Sequence, residues 1–504
     1  MKIILISPYP DLQVFGLRTI SACLKREGHD VHLLFLPKRF TERYENKTLN
    51  EIVRFSKDSN LIGISLMTNY FDNAIQITQK LKENYDTPIL WGGVHPTIRP
   101  EECLNYADMV CIGEGEDALV ELAYKMSDGP CNHVHGIWFK YKEKIIKNPI
   151  QPLTQSLDNI PFPDYDYRTH YILNNECIQK MDEKLIKKYL GGTYVTMPTR
   201  GCPFGCTYCC NNTINNMYPD QKPLRKRSIS NIIKELVEIK KLLPFIDRIY
   251  FDDDAFFFFS VNEIMEFCKK YRKNICIPLA ITGATPTTLT REKLSLLVAA
   301  GLNFIRVGIQ TGSKRGLKLY NRRYTNQQVE RTVRIINEFN YKIKMPQYDI
   351  ILDNPWETDE DSIETLMFLS TLPTPYKLSL FSLSFYPGTE LYTKAKKDGI
   401  IIDDLKDVYR KRFHTCNSTY LNSLFFLLKY YALINVRISP KIMFLLTNQR
   451  MRQLNIHLLL YYILSTSKVL LPLTRKHFHY LILKGLKYIK KGIGLEYTDL
   501  PPPN

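Results

Sequence analysis

The chain has 504 residues, 44% of them hydrophobic, and a formal charge of +17 at neutral pH, which fits a globular protein of two or three domains. No window reaches the roughly 18 uninterrupted apolar residues of a membrane-spanning helix. The opening MKIILISPYPDLQVFG lacks the apolar core and cleavage site of a secretory signal, so the expected location is cytoplasmic, where reducing conditions favour metal or redox chemistry over disulfides for the twelve cysteines.

Over the first 125 residues strand and helix alternate. KIILISPYP reads as a strand and LRTISACLKREG as a helix closed by Gly28. HDVHLLFLP, NLIGISLMT, TPILWGG and ADMVCIGEG are short apolar runs that end in Gly, Pro or Thr. The pattern predicts a doubly wound, Rossmann-like parallel sheet over residues 1–130, with a ligand at the strands' carboxyl ends. Candidate binding residues there are Ser65, Gly92, Gly93 and Glu114, within the loops Pro8–Gly16, Ser65–Thr68, Gly92–Pro96 and Gly113–Glu116. The alternative is that these glycines only make turns.

Residues 131–190 change character. GIWFKYKEKIIKN predicts a hairpin, and LDNIPFPDYDY an extended, Pro-rich linker. From Thr193 a second alternation begins. YVTMPTR, DRIYFDDDAF, CIPLAITGA, FIRVGIQTG, KMPQYDIILD and YKLSLFSLSFYPG are six strand-like runs, most separated by amphipathic helices such as ISNIIKELVEIKKLL. Six β/α units over residues 191–400 predict an incomplete (β/α)6 barrel of TIM type. Residues 401–504 hold sixteen Lys/Arg against five Asp/Glu, a net of +11 out of +17, with no acidic residue from Lys411 through Leu495. The same region is rich in aliphatic and aromatic runs, so the basic excess belongs to a helical, apolar appendage.

The stretch TRGCPFGCTYCCNN, Thr199–Asn212, follows a predicted strand. Cys202, Cys206 and Cys209 have the spacing C-x-x-x-C-x-x-C. Three thiolates on such a loop can bind three irons of a 4Fe–4S cube and leave the fourth iron without a protein ligand. Gly201, Pro203 and Gly205 let the chain bend around it. A structural zinc site with Cys210 as fourth ligand is the competing reading, although adjacent cysteines rarely reach one tetrahedral ion together. Cys210 is otherwise read as a passive neighbour.

Here the sequence resembles the radical S-adenosylmethionine superfamily, whose signature is C-x-x-x-C-x-aromatic-C, with Tyr208 at the aromatic position. FDDDAF at 251–256, GIQTGS at 308–313, DNPWET at 353–358 and FYPGTELY at 385–392 follow in the family's order. GIQTGS has Gln310 where the family usually has Glu, which keeps an acceptor and adds a donor. The resemblance implies a 4Fe–4S cluster that chelates S-adenosylmethionine at its open iron. One electron from an external donor would then cleave the sulfonium and give a 5′-deoxyadenosyl radical that abstracts hydrogen. By the same resemblance Tyr208 lies against the adenine, Asp253 or Asp254 accepts from the amino group, and Gln310 touches the ribose or methionine moiety. The competing reading of the three aspartates is a solvated loop.

The first domain is similar to the cobalamin-binding domain that precedes many such enzymes, on GISLMT, WGGVHPT, CIGEGE and the linker LDNIPFPDYD. The fingerprint D-x-H-x-x-G falls on Asp11–Gly16, with Gln13 at the histidine position, so imidazole ligation of cobalt from there is excluded. His95 is read as an ordinary turn histidine. The resemblance implies a cobalamin-dependent enzyme that methylates an unactivated carbon. A radical cyclisation or C–H functionalisation without methyl transfer, and a metal-stapled basic binding module, are the alternatives. The basic tail is read as a lid, a docking surface for an acidic partner, or a peripheral membrane contact at the inner face, which suits a small hydrophobic or lipid substrate. No nucleic-acid module is recognised, and nucleic acid is not an expected partner.

Overall fold

The computed structural model describes residues 1–129 and 131–453. They form two units, one of residues 1–305 with 384–412, the other from residue 306 to 383 and from 413 onward. HLLLYYILSTSKVLLPL, the longest apolar run of the tail, lies outside the described residues.

In the first unit, Lys2–Ser7 (β1), Asp30–Phe35 (β2), Leu61–Ser65 (β3), Ile89–Gly92 (β4) and Met109–Cys111 (β5) form a parallel sheet in the order β2-β1-β3-β4-β5. Ile3, Ile4, Leu5 and Ile6 are almost fully buried, as continuous apolar strands covered on both faces must be. Strand order reverses between β1 and β3, and a doubly wound sheet binds its ligand in the crevice that such a reversal opens. The loops there are Pro8–Gly16 and Ser65–Thr68.

The region read as a hairpin and linker contributes four more strands. Ile137–Tyr141 (β6) and Lys144–Lys147 (β7) are the expected hairpin, and β6 adds antiparallel to β5. The sequence reading missed His170–Asn174 (β8) and Cys177–Lys180 (β9), a second hairpin whose β8 lies parallel to β2. The sheet is therefore nine-stranded, β7-β6-β5-β4-β3-β1-β2-β8-β9. The Pro-rich segment before β8 is fastened rather than loose. Arg18, fully buried, donates to Leu12 O at 2.7 Å and Asp164 O at 2.6 Å, with Tyr165 over its guanidinium at 4.0 Å. The Asp164 carboxylate receives Ser21 and Lys25, each at 2.6 Å.

The run YVTMPTR is broken into Thr193–Thr196 (β10) and Thr199–Arg200 (β11), because Pro198 has no N–H for a continuous ladder. β10 starts the second sheet, while β11 turns away to pair antiparallel with Arg225–Lys226 (β12). Arg248–Phe251 (β13), Leu279–Ala284 (β14), Leu302–Gln310 (β15), Gln347–Leu352 (β16) and Lys377–Ser382 (β17) follow, in the order β10-β13-β14-β15-β16-β17. This strictly sequential order with intervening helices is the expected incomplete barrel. β15 begins in the first unit and ends in the second.

The tail divides. Residues up to 412 belong to the first unit, where Tyr409 donates to Glu102 at 2.6 Å and Arg410 to Asp72 at 2.7 Å. In the second unit, Tyr420–Leu433 and Pro440–Leu446 are helices, capped by Thr419 and Ser439. Asp353, at the end of β16 with φ +59°, accepts from Asn417 N at 3.0 Å and Asn422 Nδ2 at 2.7 Å. That aspartate anchors the start of the tail's helices.

Candidate active site

The cysteine loop occupies residues 201–224, clipped at its base by the β11–β12 ribbon. Gly201 has φ +78°, and a Cβ there would stand 1.9 Å from Pro223 O, so only glycine lets the ribbon close. Within the loop Cys209 N donates to Cys206 O at 3.1 Å, and Asn215 Nδ2 donates to Cys202 O at 2.7 Å. Cys209 precedes the helix Cys210–Asn216, and its carbonyl oxygen accepts from Asn212 N at 3.2 Å. Cys206 is buried, and Cys202, Cys209 and Cys210 are half-buried. Burial pushes the Cys202 thiol up to about 12, with Asp254, Cys209 and Cys206 adding to it. The three thiols and Asp254 thus share one electrostatic neighbourhood. A hydrogen bond between the Cys209 and Cys210 sulfurs raises the first thiol and lowers the second.

Asp252, Asp253 and Asp254 follow β13. Asp253 is 1% exposed, and its carboxylate accepts from Thr199 N at 2.6 Å, Thr199 Oγ1 at 2.7 Å and Ala255 N at 2.8 Å. Burial nevertheless raises it to about 6. Asp253 therefore holds β13 to β11. Asp252 and Asp254 are exposed, and Asp254 accepts from Asn211 Nδ2 at 2.7 Å, so Asp254 is the one of the pair with a face open to a ligand. Neither reading of the triplet covers all three residues. Tyr208 is half-buried beside Cys209.

At the carboxyl edge of the first sheet, Gly93 has φ +104°, and a Cβ there would lie 2.8 Å from Leu66 O. Gly92 O accepts from Leu66 N at 2.9 Å. Ser65 is half-buried and bonded to the Tyr9 hydroxyl. Met67, 48% exposed, offers an apolar side chain at this edge. Glu114 is already engaged. It takes Arg225 at 2.7 and 2.8 Å, Arg200 at 3.3 Å and Thr154 N at 3.1 Å, while Glu116 takes Arg200 at 2.6 Å. Gln13 donates to Thr193 O and accepts from the Tyr165 hydroxyl, both at 3.3 Å. His95 is fully buried, not solvent-facing. Its Nδ1 lies 3.2 Å from Thr68 Oγ1, and burial lowers it to about 3, so it stays neutral.

Residues 1–123 match the B12 binding domain, and residues 196–369 match the radical SAM superfamily. The chain joins a B12-binding domain to a radical SAM domain. It is 27% identical over 391 residues to an uncharacterised methyltransferase of Pyrococcus horikoshii, covering 76% of this chain and 78% of that one. It is 24% identical over 370 residues to the anaerobic magnesium-protoporphyrin IX monomethyl ester cyclase of Rubrivivax gelatinosus, covering 69% and 60%. In fold it is similar to the radical S-adenosylmethionine methyltransferase TsrM of Kitasatospora setae, with a TM-score of 0.62 at 19% identity over 80% of this chain and 77% of that one.

The residues present suit the groups these domains take. The radical SAM domain offers three thiols on one glycine-bent loop. Among the described residues no three His, Cys, Asp or Glu side chains are grouped to hold a single metal ion, and a cube needs no such group, because each thiolate takes its own iron. In the B12-binding domain Gly93 lets the Leu66 backbone pack closely against it, which holds Met67 exposed at the carboxyl edge of the sheet. Gln310 ends β15 at a bulge with φ +68°, half-exposed in the second unit.

The sequence reading passed over Arg200, Arg225, Thr199 and Glu116, which fasten the cysteine loop. Arg200 stands two residues before Cys202, which was the available signal. Nothing local marks Arg225, whose partners lie more than 70 residues away. Glu357, in DNPWET, was also missed. Burial and the Asp361 charge raise its carboxyl to about 7.

Proposed function

We propose that this chain methylates an unactivated carbon of a small, hydrophobic substrate, using a 4Fe–4S cluster, S-adenosylmethionine and cobalamin. The observation that carries the reading is the joining of the two domains at side chains: Glu114 of the B12-binding domain grips Arg200 at the entry to the three-cysteine loop. When bound, the cluster and S-adenosylmethionine supply radical chemistry and cobalamin supplies methyl transfer.

The chain's own residues hold, orient and shield. Cys202, Cys206 and Cys209 hold the irons and Cys210 stands aside. Tyr208 lies against the adenine, and Asp254 accepts from the amino group while Asp253 fixes the loop behind it. The assignment of Gln310 to the ribose or methionine moiety rests on its place in GIQTGS alone. Ser65, Gly92 and Gly93 frame the cobalamin edge, and Gln13, bound to backbone, leaves the cobalt without imidazole from that position. Glu114, expected to touch cobalamin, serves the loop contact instead. The reading divides the chain into residues 1–130 for cobalamin, 131–190 as connector, 191–400 as the radical barrel and 401–504 as appendage. An external one-electron donor completes the system.

A second reading, cyclisation without methyl transfer, is favoured by the likeness to the Rubrivivax gelatinosus cyclase. Peripheral contact of the tail with the inner membrane face belongs to the proposal too. Ile442, Phe444 and Leu445 are 52–65% exposed beside the exposed Lys441, although no helix among the described residues is long and apolar enough to cross a membrane.

The test is anaerobic purification with hydroxocobalamin supplied, then reduction with S-adenosylmethionine labelled in its methyl group and a small-molecule extract. Bound iron, sulfide and cobalamin, release of 5′-deoxyadenosine, and label in a product support the reading. Unlabelled product with 5′-deoxyadenosine moves it to the cyclase class. One equivalent of zinc without iron–sulfur absorbance defeats both.

A further inference from the structure

Arg200 and Arg225 sit opposite one another in the β11–β12 ribbon, in register. Two guanidiniums so placed repel, which destabilises the ribbon that closes the cysteine loop unless opposite charge offsets it. Glu114 bridges both, and Glu116 adds a second carboxylate on Arg200. The four side chains are only 6–17% exposed, and they sum to zero charge.

Glu114 stands in the loop after β5 and Glu116 opens the helix that follows, both at the carboxyl edge of the first sheet. Gly113, the residue before Glu114, has φ +82°, and a Cβ there would stand 2.1 Å from the hydroxyl of Tyr218, a residue of the cysteine loop. The β5 loop thus meets the cysteine loop by shape as well as by charge. On the functional reading, a ligand at this sheet edge presses on the backbone that carries these carboxylates. Buried charges are screened little by salt, so a displacement there is felt at the ribbon.

We propose that Glu114 and Glu116 are positioning residues for the iron–sulfur loop, and that through Arg200 and Arg225 they make the cluster's electronic state depend on occupancy of the B12-binding domain. This rests on the functional reading above. Such coupling is reciprocal, so reduction of the cluster alters cobalamin affinity by the same factor by which cobalamin alters the reduction equilibrium.

The experiment uses the full chain, reconstituted anaerobically, in wild-type, Glu114→Gln, Glu116→Gln and Glu114→Gln/Arg225→Met forms. Iron content, the electron paramagnetic resonance spectrum of the dithionite-reduced cluster with and without hydroxocobalamin, and the cluster's midpoint potential are measured. In wild type, hydroxocobalamin changes the reduced-cluster spectrum. Glu114→Gln keeps its iron, loses that response, and shifts the potential positive, because an uncompensated guanidinium favours the more negative, reduced cluster. The double variant returns the potential toward wild type, because charge balance is restored although the bridge stays broken. A merely structural role would not produce that return. Trypsin treatment of the apoprotein gives a reading without cofactors: cleavage after Arg200 and Arg225 is slow in wild type and faster in Glu114→Gln. Should Glu114→Gln fail to fold, Glu116→Gln reads the same positive shift. Wild-type spectra indifferent to hydroxocobalamin, or variants with wild-type potentials, overturn the inference while the cluster assignment stands. Absence of a cluster from the wild type defeats the functional reading, and the inference with it.

Discussion

The Asp253 carboxylate accepts two hydrogen bonds from Thr199, from its N–H at 2.6 Å and its hydroxyl at 2.7 Å. Thr199 lies three residues before Cys202, so this pair fixes where the metal-binding loop starts. Asp253→Asn places an amide against one of those donors and costs about 1–3 kcal/mol. Its melting temperature and iron content are expected to fall together. Asp254→Asn keeps both and weakens S-adenosylmethionine binding, measured by equilibrium dialysis. Equal effects from the two substitutions would refute the division of roles.

Alanine at Cys202, Cys206 or Cys209 is expected to remove most iron and sulfide after reconstitution, and all 5′-deoxyadenosine formation. Cys210→Ala retains both. Full iron and sulfide in the triple variant would end the cluster assignment.

Gly201→Ala puts a methyl group into Pro223 O. The left-handed backbone alone costs roughly 1–2 kcal/mol for an L-residue, and the collision adds to it. The variant should fold its first sheet, by circular dichroism, yet reconstitute poorly. Iron content equal to wild type would show that the ribbon can open.

Glu357 carries the clearest pH signature. Its carboxyl rises from 4.5 to about 7 through burial first and the Asp361 charge second. The folded chain therefore holds a proton there that the unfolded chain has lost. This contribution to stability is complete below about pH 4.5 and is lost as pH rises to 7. Urea midpoints of wild type and Glu357→Gln should diverge across that window, with the variant declining less. Parallel curves would count against a buried, protonated carboxyl.

Asp353 anchors Asn417 and Asn422. Asp353→Ala is expected to expose the bonds near Lys411 and Arg412 to trypsin several-fold faster, without loss of iron. Unchanged proteolysis would mean that the helices hold without it.

Period and punctuation made both sheets legible. Continuous apolar runs such as KIILIS and LIGIS, short and closed by Pro8 and Thr68 within a strand–helix alternation, fit strands buried on both faces. The cysteine spacing was equally plain, because ligands to one cluster must be close in sequence when one loop supplies them. HYILNNECIQK was not read as a hairpin. Asn175 and Glu176, its turn residues with φ +50° and +62°, lack the usual glycine. The charge cluster was illegible for another reason: Glu114 meets Arg225 across 111 positions, and no local pattern records such a meeting. Glu114 was rightly placed at a sheet edge, but composition cannot say whether a carboxylate there faces a ligand or a guanidinium.

The β8–β9 hairpin bears on how this protein can be divided. A fragment ending at residue 130 would keep the five parallel strands but uncover both flanks, β2 on one side and β5 on the other. Bare flanks with unmet backbone groups recruit other chains, so such a fragment would self-associate, whereas one extended to residue 190 carries its own covers. The stretch that reads as a spacer is what makes the first domain a separable object.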